Sequence, residues 1–445
     1  MKKYLFTLLI GSLFIFSSCS DYLDVKPKGI IMPENVVDYE NILNSPTLTN
    51  TYPMVLLNMT DDFFSSYTSI TTTADANAYF WRKIITVNEK SSPDIWGPLY
   101  RSIYNTNIII NNVMTANEGT DTYKKSVLSE ALVMRATYYM DLLTVFTKEY
   151  NKSTASTDLG LPMVTSTDVN DVVPDRSSIQ TNLDTMISNI KYAIEFLPTT
   201  NVNRYRITKY VAYGILSRIY LYMGDYDNAA QYVDLALTAP HTVLNYNDYA
   251  SSTNAPTYDA STEILWQRAS VSGNPIFMLY SDDLKSYFDS NDLRYSLLTV
   301  TNNDGLGRSS FTGTYNFGIT FPELYLTKAE ILARKNNYAD AMTLVNDLRK
   351  KRIKTAAYTD ETASSGSEAL SLVLSERRRE LAYLGLRWFD MKRLDQEGLM
   401  PTVTRVDKET SEVLETLTPH SEKYTFEIPI RVSAFNPNMV LNYSN

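Results

Sequence analysis

The chain has 445 residues, about three times the ~150 of a typical domain, and with 44% hydrophobic and 20% charged residues it can bury a substantial core. Two His and one Cys cannot supply the usual zinc ligand sets or an internal disulfide, and a formal net charge of −9 argues against nucleic acid, whose phosphates need clustered Lys and Arg. Glycine is scarce, at 15, and no phosphate-cradling glycine loop of the G-x-G-x-x-G or G-x-x-x-x-G-K-[ST] kind occurs, so no cofactor or metal is expected; the unexplained feature is 33 Tyr against 16 Phe and 4 Trp.

Residues 1–18 read as a secretory leader: Lys2 and Lys3 form its charged start, and Tyr4 to Phe16 an apolar run too short to span a bilayer comfortably. Ser17 and Ser18 lead into Cys19, where the run stops. The arrangement resembles a bacterial lipoprotein signal, in which Cys19 becomes the acylated mature N-terminus and the protein is held to a membrane by its lipid chains. The alternative is an ordinary signal peptide followed by an incidental thiol. Residues 19–60, with Pro27, Pro33, Pro46 and Pro53, read as an extended tether giving way to irregular or short helical structure.

Helical periodicity then dominates. Pro98 to Met114 and Ser126 to Thr147 carry apolar residues at largely helical spacing and read as an antiparallel pair; a polar stretch separates them from Ile179–Leu197 and Thr208–Met223. The segment from Arg218 to Ala230 aligns with that from Glu330 to Met342 at a shift of 112 residues, matching Tyr226 to Tyr338 and Ala229 to Ala341. Each copy reads as helix, tight turn at Gly224 or Asn336, and helix, which is the tetratricopeptide (TPR) signature. The insertion between the copies, about 238–320, is rich in Asn, Ser, Thr, Asp and Tyr, with a strand-like Glu263–Arg268. A last helical pair, Glu368–Leu384 and Arg387–Leu394, is followed by strand-like alternation over Glu409–Val432. The expected fold is mainly α: a single domain over 61–445 with about four TPR-type helix pairs, near 94–147, 177–237, 320–352 and 367–395, and a loop-rich half of short strands and helices. Tyr104, Tyr138, Tyr226 and Tyr338 are expected to pack within the hairpins.

The run Glu376-Arg-Arg-Arg-Glu-Leu-Ala-Tyr-Leu-Gly-Leu-Arg-Trp-Phe-Asp-Met-Lys-Arg resembles the SusD/RagB family, outer-membrane lipoproteins of Bacteroidetes. Four further stretches agree in order: Cys19 to Pro27, Trp96 to Asn107, Phe321 to Glu330, and Ile428-Pro-Ile with Asn436-Pro-Asn. The resemblance implies a TPR scaffold that carries a less regular ligand-binding half, caps a SusC-like TonB-dependent transporter and passes it glycans or, in some members, peptides, without catalysis. Read by themselves, Arg387, Trp388 and Asp390 are a structural cluster locking helices by ion pairing and ring packing, and Arg377–Arg379 either solvate one face or pair with Glu376 and Glu380.

A glycan site wants exposed aromatic platforms beside amide, carboxylate or Arg partners, because sugar rings present apolar C–H faces edged with hydroxyls. The stretch before the first repeat offers Tyr79 and Trp81 as stacking residues with Asp75 and Asn77 as polar partners, and the insertion adds Tyr280. The competing reading is that these aromatics anchor irregular loops to the scaffold. Catalysis is disfavoured: Asp61 with Asp62, or Asp282 with Asp283, are adjacent pairs that rarely converge on one bond from opposite sides, and no G-x-S-x-G elbow is present. The sequence thus points to an outer-membrane, lipid-anchored, surface-facing protein that binds an oligosaccharide, with peptide capture and a ligand-free TPR interaction scaffold as alternatives.

Overall fold

A computed structural model describes residues 33–249, 260–270, 278–302, 305–308 and 315–443. Cys19 and the leader lie outside these residues. Helices of eight residues or more are α1 (Val36–Leu43), α2 (Trp96–Asn112), α3 (Asp121–Phe146), α4 (Ile179–Ile194), α5 (Lys209–Tyr222), α6 (Tyr226–Ala236), α7 (Phe321–Arg334), α8 (Tyr338–Arg349), α9 (Gly366–Glu380) and α10 (Arg387–Gln396). Their starts follow from side-chain caps: Thr120, Ser178, Thr208, Thr320 and Ser365 each accept a hydrogen bond from the backbone N–H three residues on. Helix α4 buries Ile179, Leu183, Met186, Ile187 and Ile190, one face at helical spacing. By contrast, α3 is buried nearly all round from Val127 onward, because α2 and α4 pack against it from two sides.

The two matched copies form turns of the same hydrogen-bond pattern for one chemical reason. Gly224 (φ 68°) and Asn336 (φ 60°) both take the left-handed conformation at the residue that ends a Schellman motif. In the first, Asp225 N donates to Tyr220 O at 2.9 Å and Gly224 N to Leu221 O at 3.2 Å; in the second, Asn337 N donates to Leu332 O at 2.9 Å and Asn336 N to Ala333 O at 3.0 Å. Ala229 and Ala341, fully buried, let the returning helices approach closely.

Three expectations need correction. The tether and extended segment expected over 19–60 gives way to short helices already at residue 36: Val36, Tyr39, Leu43 and Leu48 are buried because α1 and the helix Pro46–Thr49 face α2 and α3, and Leu56 and Leu57 because the helix Val55–Asn58 packs against the helix Ala74–Tyr79 and α10. Residues 177–237 hold three helices, α4 to α6, not a pair. Alternation after 409 ends early: Val403–Val406 and Val413–Leu417 form a hairpin, whereas Ile430–Phe435 is a helix entered through Pro429. Tyr138 is buried as expected, while Tyr104 is exposed on the outer side of α2.

The insertion does not stand apart. Its strand Leu279–Tyr280 pairs with Phe63–Phe64 on one side and Gly305–Arg308 on the other, and Thr299–Asn302 completes a four-stranded antiparallel sheet. Ile264–Trp266 pairs with Ile319–Thr320, and Ala269–Ser270 runs parallel to Asn50–Tyr52.

Buried charge ties these parts together around α9 and α10. Arg393 donates to both carboxylate oxygens of Glu330 at 2.5 and 2.8 Å and to Asp390 at 2.8 Å; Arg377 reaches the other Asp390 oxygen at 2.8 Å. Burial raises the Asp390 carboxyl, but Arg377 and Arg393 outweigh it and leave it at about 2. Arg387 makes a bidentate pair with Asp61 at 2.6 and 2.7 Å, and Arg378 reaches Asp62 at 2.8 Å and Asp283 at 2.6 Å. Glu376 and Glu380 in turn hold Arg294 and Arg352. The Arg377–Arg379 run therefore neither coats a solvated face nor pairs only within its own helix; Arg377 and Arg378 are buried and bind acids brought from elsewhere in the chain.

Candidate functional site

The residues nominated as a platform lie under the surface. Thr73 caps the short helix Ala74–Tyr79, whose Asn77 and Tyr79 are buried, and Trp81 is 1% exposed. This helix also ends in a Schellman motif, with Arg82 N donating to Asn77 O at 2.9 Å and Trp81 N to Ala78 O at 3.1 Å. Trp81 occupies the left-handed position at φ 49°, a conformation costly for a bulky side chain. Its indole offsets that strain by burial and by an Nε1 hydrogen bond to Met59 O at 2.8 Å.

Arg405, from the hairpin strand Val403–Val406, explains the arrangement. Its guanidinium lies 4.0 Å from the Tyr79 ring centroid and 4.3 Å from that of Trp81. It donates to the carbonyls of Asn58, Thr60, Phe63 and Tyr79 at 2.9–3.1 Å. Burial lowers its pKa to about 10. Tyr79 and Trp81 are thus the two walls of an arginine socket, and the expectation that they are stacking platforms is corrected: their faces are already occupied. Asn77 is equally committed, its Nδ2 donating to Ile85 O and its Oδ1 accepting from Arg82 Nη1, both at 2.8 Å. Tyr280, 1% exposed, stacks on Tyr383 at 5.2 Å.

The structure does bring the two nominated segments together. Phe63 sits opposite Tyr280 across the strand pair, and Tyr79 packs edge-on to Phe63 at 5.8 Å. From Tyr79 the aromatic row continues edge-on to Tyr67 at 5.7 Å; from Tyr280 it runs to Phe288 and then Tyr295, each step 6.1 Å. The row surfaces at its ends, where Tyr67 is half-buried and Tyr295 exposed.

At the Tyr67 end the polar partners are in place. Asp75 is exposed and accepts a hydrogen bond from Asn58 Nδ2 at 2.8 Å. Burial and the neighbouring Asp75 carboxylate both raise the Tyr67 hydroxyl pKa. Arg82 donates to Ser69 O at 2.6 Å and also to Thr71 O, so the loop over 69–72 is braced before any ligand arrives. Sequence reasoning missed Tyr67, although it sits in a polar Ser-Thr stretch of the kind that suggested the others. It had no signal for Arg405, whose partners are carbonyls and ring faces drawn from positions far away in the chain.

The other nominations divide cleanly. Trp388 is buried, donates through Nε1 to Thr144 O at 3.0 Å and stacks on Tyr424 at 5.5 Å, while Arg387 and Asp390 sit in the ionic hub already described. Asp61 and Asp62, recruited above into a hydrolase argument, are buried against Arg378 and Arg387; after the rise from burial, these guanidiniums hold the Asp61 carboxyl well below the usual range. A carboxylate so committed is poorly placed to exchange protons with a substrate.

A family model described as starch-binding associating with the outer membrane matches residues 21–221, and one described as the SusD family matches residues 239–443. The SusD-like protein P25 of Formosa agariphila is 23% identical over 282 residues, covering 58% of this chain; the match spans half the length of that relative. A SusD superfamily protein from Bacteroides thetaiotaomicron superposes with a TM-score of 0.75 at 20% identity, over 92% of this chain and 100% of its own. A SusD-like carbohydrate-binding protein from Bacteroides vulgatus gives 0.71 at 21%, over 91% and 97%. With its two halves matched in order and its helical scaffold shared with these structures, the chain belongs to the SusD/RagB family.

Proposed function

We propose that the protein captures an oligosaccharide on the rim formed by Tyr67, Asp75 and the braced 69–72 loop, and hands it to a SusC-like TonB-dependent transporter while anchored to the outer membrane, facing the cell surface, through acylated Cys19. The observation that carries the binding reading is the half-buried Tyr67 ring held edge-on against buried Tyr79, with an exposed carboxylate beside it. Such a ring offers an apolar face to sugar C–H groups at little entropic cost, and the exposed Asp75 carboxylate, oriented by the hydrogen bond from buried Asn58, supplies an acceptor for hydroxyls. Family membership and the likeness to a carbohydrate-binding relative support the ligand class. The commitment of Asp61 and Asp62 to structural ion pairs supports binding rather than hydrolysis.

Titration against a panel of plant, host and microbial glycans tests this. At least one glycan binds, and Asp75→Ala weakens it by about tenfold, the loss expected when a charge-assisted hydrogen bond of about 1.5 kcal/mol is removed. Saturable binding to unstructured peptides, with indifference to every glycan, replaces this reading by peptide capture. For the anchor, Cys19→Ala releases the protein from the membrane fraction; a fully membrane-bound variant contradicts it.

A further inference from the structure

Opposite in character to the rim is a cleft of about 610 Å3 between the loop before α5, the segment 239–243 and the start of Ile264–Trp266. That volume lies within the roughly 300–1,000 Å3 of small-ligand sites. Its floor includes Leu265 and Phe321, and one wall is His241, whose ring stacks on Phe321 at 3.9 Å and 9°. Nδ1 of His241 faces the Ala239 carbonyl at 2.7 Å and so donates to it, which leaves Nε2 to accept from the Tyr325 hydroxyl at 3.1 Å. Segment 239–243 is therefore pinned at its middle residue. The last residue of that segment, Val243, lines a different cleft of about 420 Å3 with Tyr325, Asp347, Lys350 and Lys351.

The chemistry of the larger cleft is specific. Among the described residues no carboxylate lines it, and the guanidiniums at its edge serve the protein: Arg206 binds Glu130 and Glu40, and Arg204 donates to Ser261 O. The Thr199, Thr200, Tyr210 and Thr242 hydroxyls also line it and make no side-chain hydrogen bond among the described residues. Unengaged hydroxyls over an apolar floor, with the neighbouring charges internally paired, complement an uncharged polyol with hydroxyl edges and C–H faces.

We propose that this cleft is a second saccharide site, distinct from the rim, that takes a neutral oligosaccharide; the inference rests on the reading of the protein as a glycan binder. Titrate the full chain, the rim double variant Tyr67→Ala/Asp75→Ala, and that double variant carrying Thr242→Trp or Thr200→Trp, against cello-, xylo-, manno- and maltohexaose. Thr242 and Thr200 are exposed, so a large side chain there fills the cleft without entering the core. At least one hexasaccharide still binds the rim double variant, and each Trp substitution lowers that residual affinity more than tenfold with an unchanged unfolding midpoint. Residual binding that ignores both Trp substitutions overturns the second site, as does complete loss of binding in the rim double variant, an outcome that leaves the rim reading standing. Wild-type protein that binds none of the hexasaccharides, or that takes an unstructured peptide into the cleft in their place, also overturns it.

Discussion

Two buried arginines organise this molecule in opposite ways. Arg393 is surrounded by acids: Glu330 takes both of its terminal nitrogens and Asp390 its Nε, and after the cost of burial these charges raise its pKa. Arg405 is surrounded by four carbonyl oxygens and two aromatic faces, and burial lowers its pKa. The first device joins helices α7, α9 and α10 through point charges, so it fixes the scaffold. The second gathers backbone from residues 58–63 and from Tyr79, so it shapes the segment that leads to the rim. Ion pairs from Arg387 and Arg378 to Asp61 and Asp62 reach that same segment, so what sets the binding face apart is the socket of carbonyls and rings added around Arg405, which can be loosened without touching the Arg393 cluster.

The largest effect should come from Arg393→Ala, which leaves Glu330 and Asp390 buried with too little positive charge. Removing one partner of a buried pair costs about 3–5 kcal/mol, so chemical denaturation should show a loss of that size, with faster hydrogen exchange across α7 and α10. A loss below 1 kcal/mol removes the hub from the account. Next is Arg405→Lys, which keeps the charge but not the planar fork. With fewer donors for four buried carbonyls, it should cost about 2–3 kcal/mol and speed exchange in residues 58–81 while α9 and α10 stay protected. Equal loosening of both regions erases the distinction.

Acid offers a smaller, reversible form of the same contrast. The folded Asp390 value, about 2, lies below the unfolded ~3.8. Its contribution is therefore complete above that range and is lost as pH falls toward 2, about 2 kcal/mol in all. Glu130 and Glu263, whose carboxyls burial raises, act with the opposite sign, so the test is a comparison with Asp390→Asn. The stability gap between wild type and this variant should narrow between pH 4 and pH 2; a constant gap contradicts the assignment.

The contrast also marks what the sequence makes legible. Periodicity, the Gly224 and Asn336 turns and the 112-residue repeat are local signals, and local hydrogen bonding delivers the hairpins they suggest. The hub was half legible: the Arg-rich run was visible, but its partners Asp61, Asp62, Asp283 and Glu330 come from distant segments. Strand pairing of Phe63 with Tyr280 joined the two aromatic stretches, as a common role for them required, yet the same pairing buried the rings chosen as platforms. Spacing says that an aromatic is present; whether its face is free depends on Arg405, more than 300 positions away from Tyr79 and Trp81. The tyrosine excess divides accordingly into rings buried in the helical scaffold, such as Tyr138, Tyr139 and Tyr222, and the few, such as Tyr67 and Tyr295, that reach the ends of the aromatic row.

The central claim is that the rim binds while the rings beneath it support. Titrating Tyr67→Ala with the best glycan of the panel tests it most directly. The account predicts about tenfold weaker binding, as expected for loss of a stacking ring worth about 1.5 kcal/mol, in a protein whose unfolding free energy is within about 1 kcal/mol of wild type. Unchanged affinity in a fully folded Tyr67→Ala protein would contradict it.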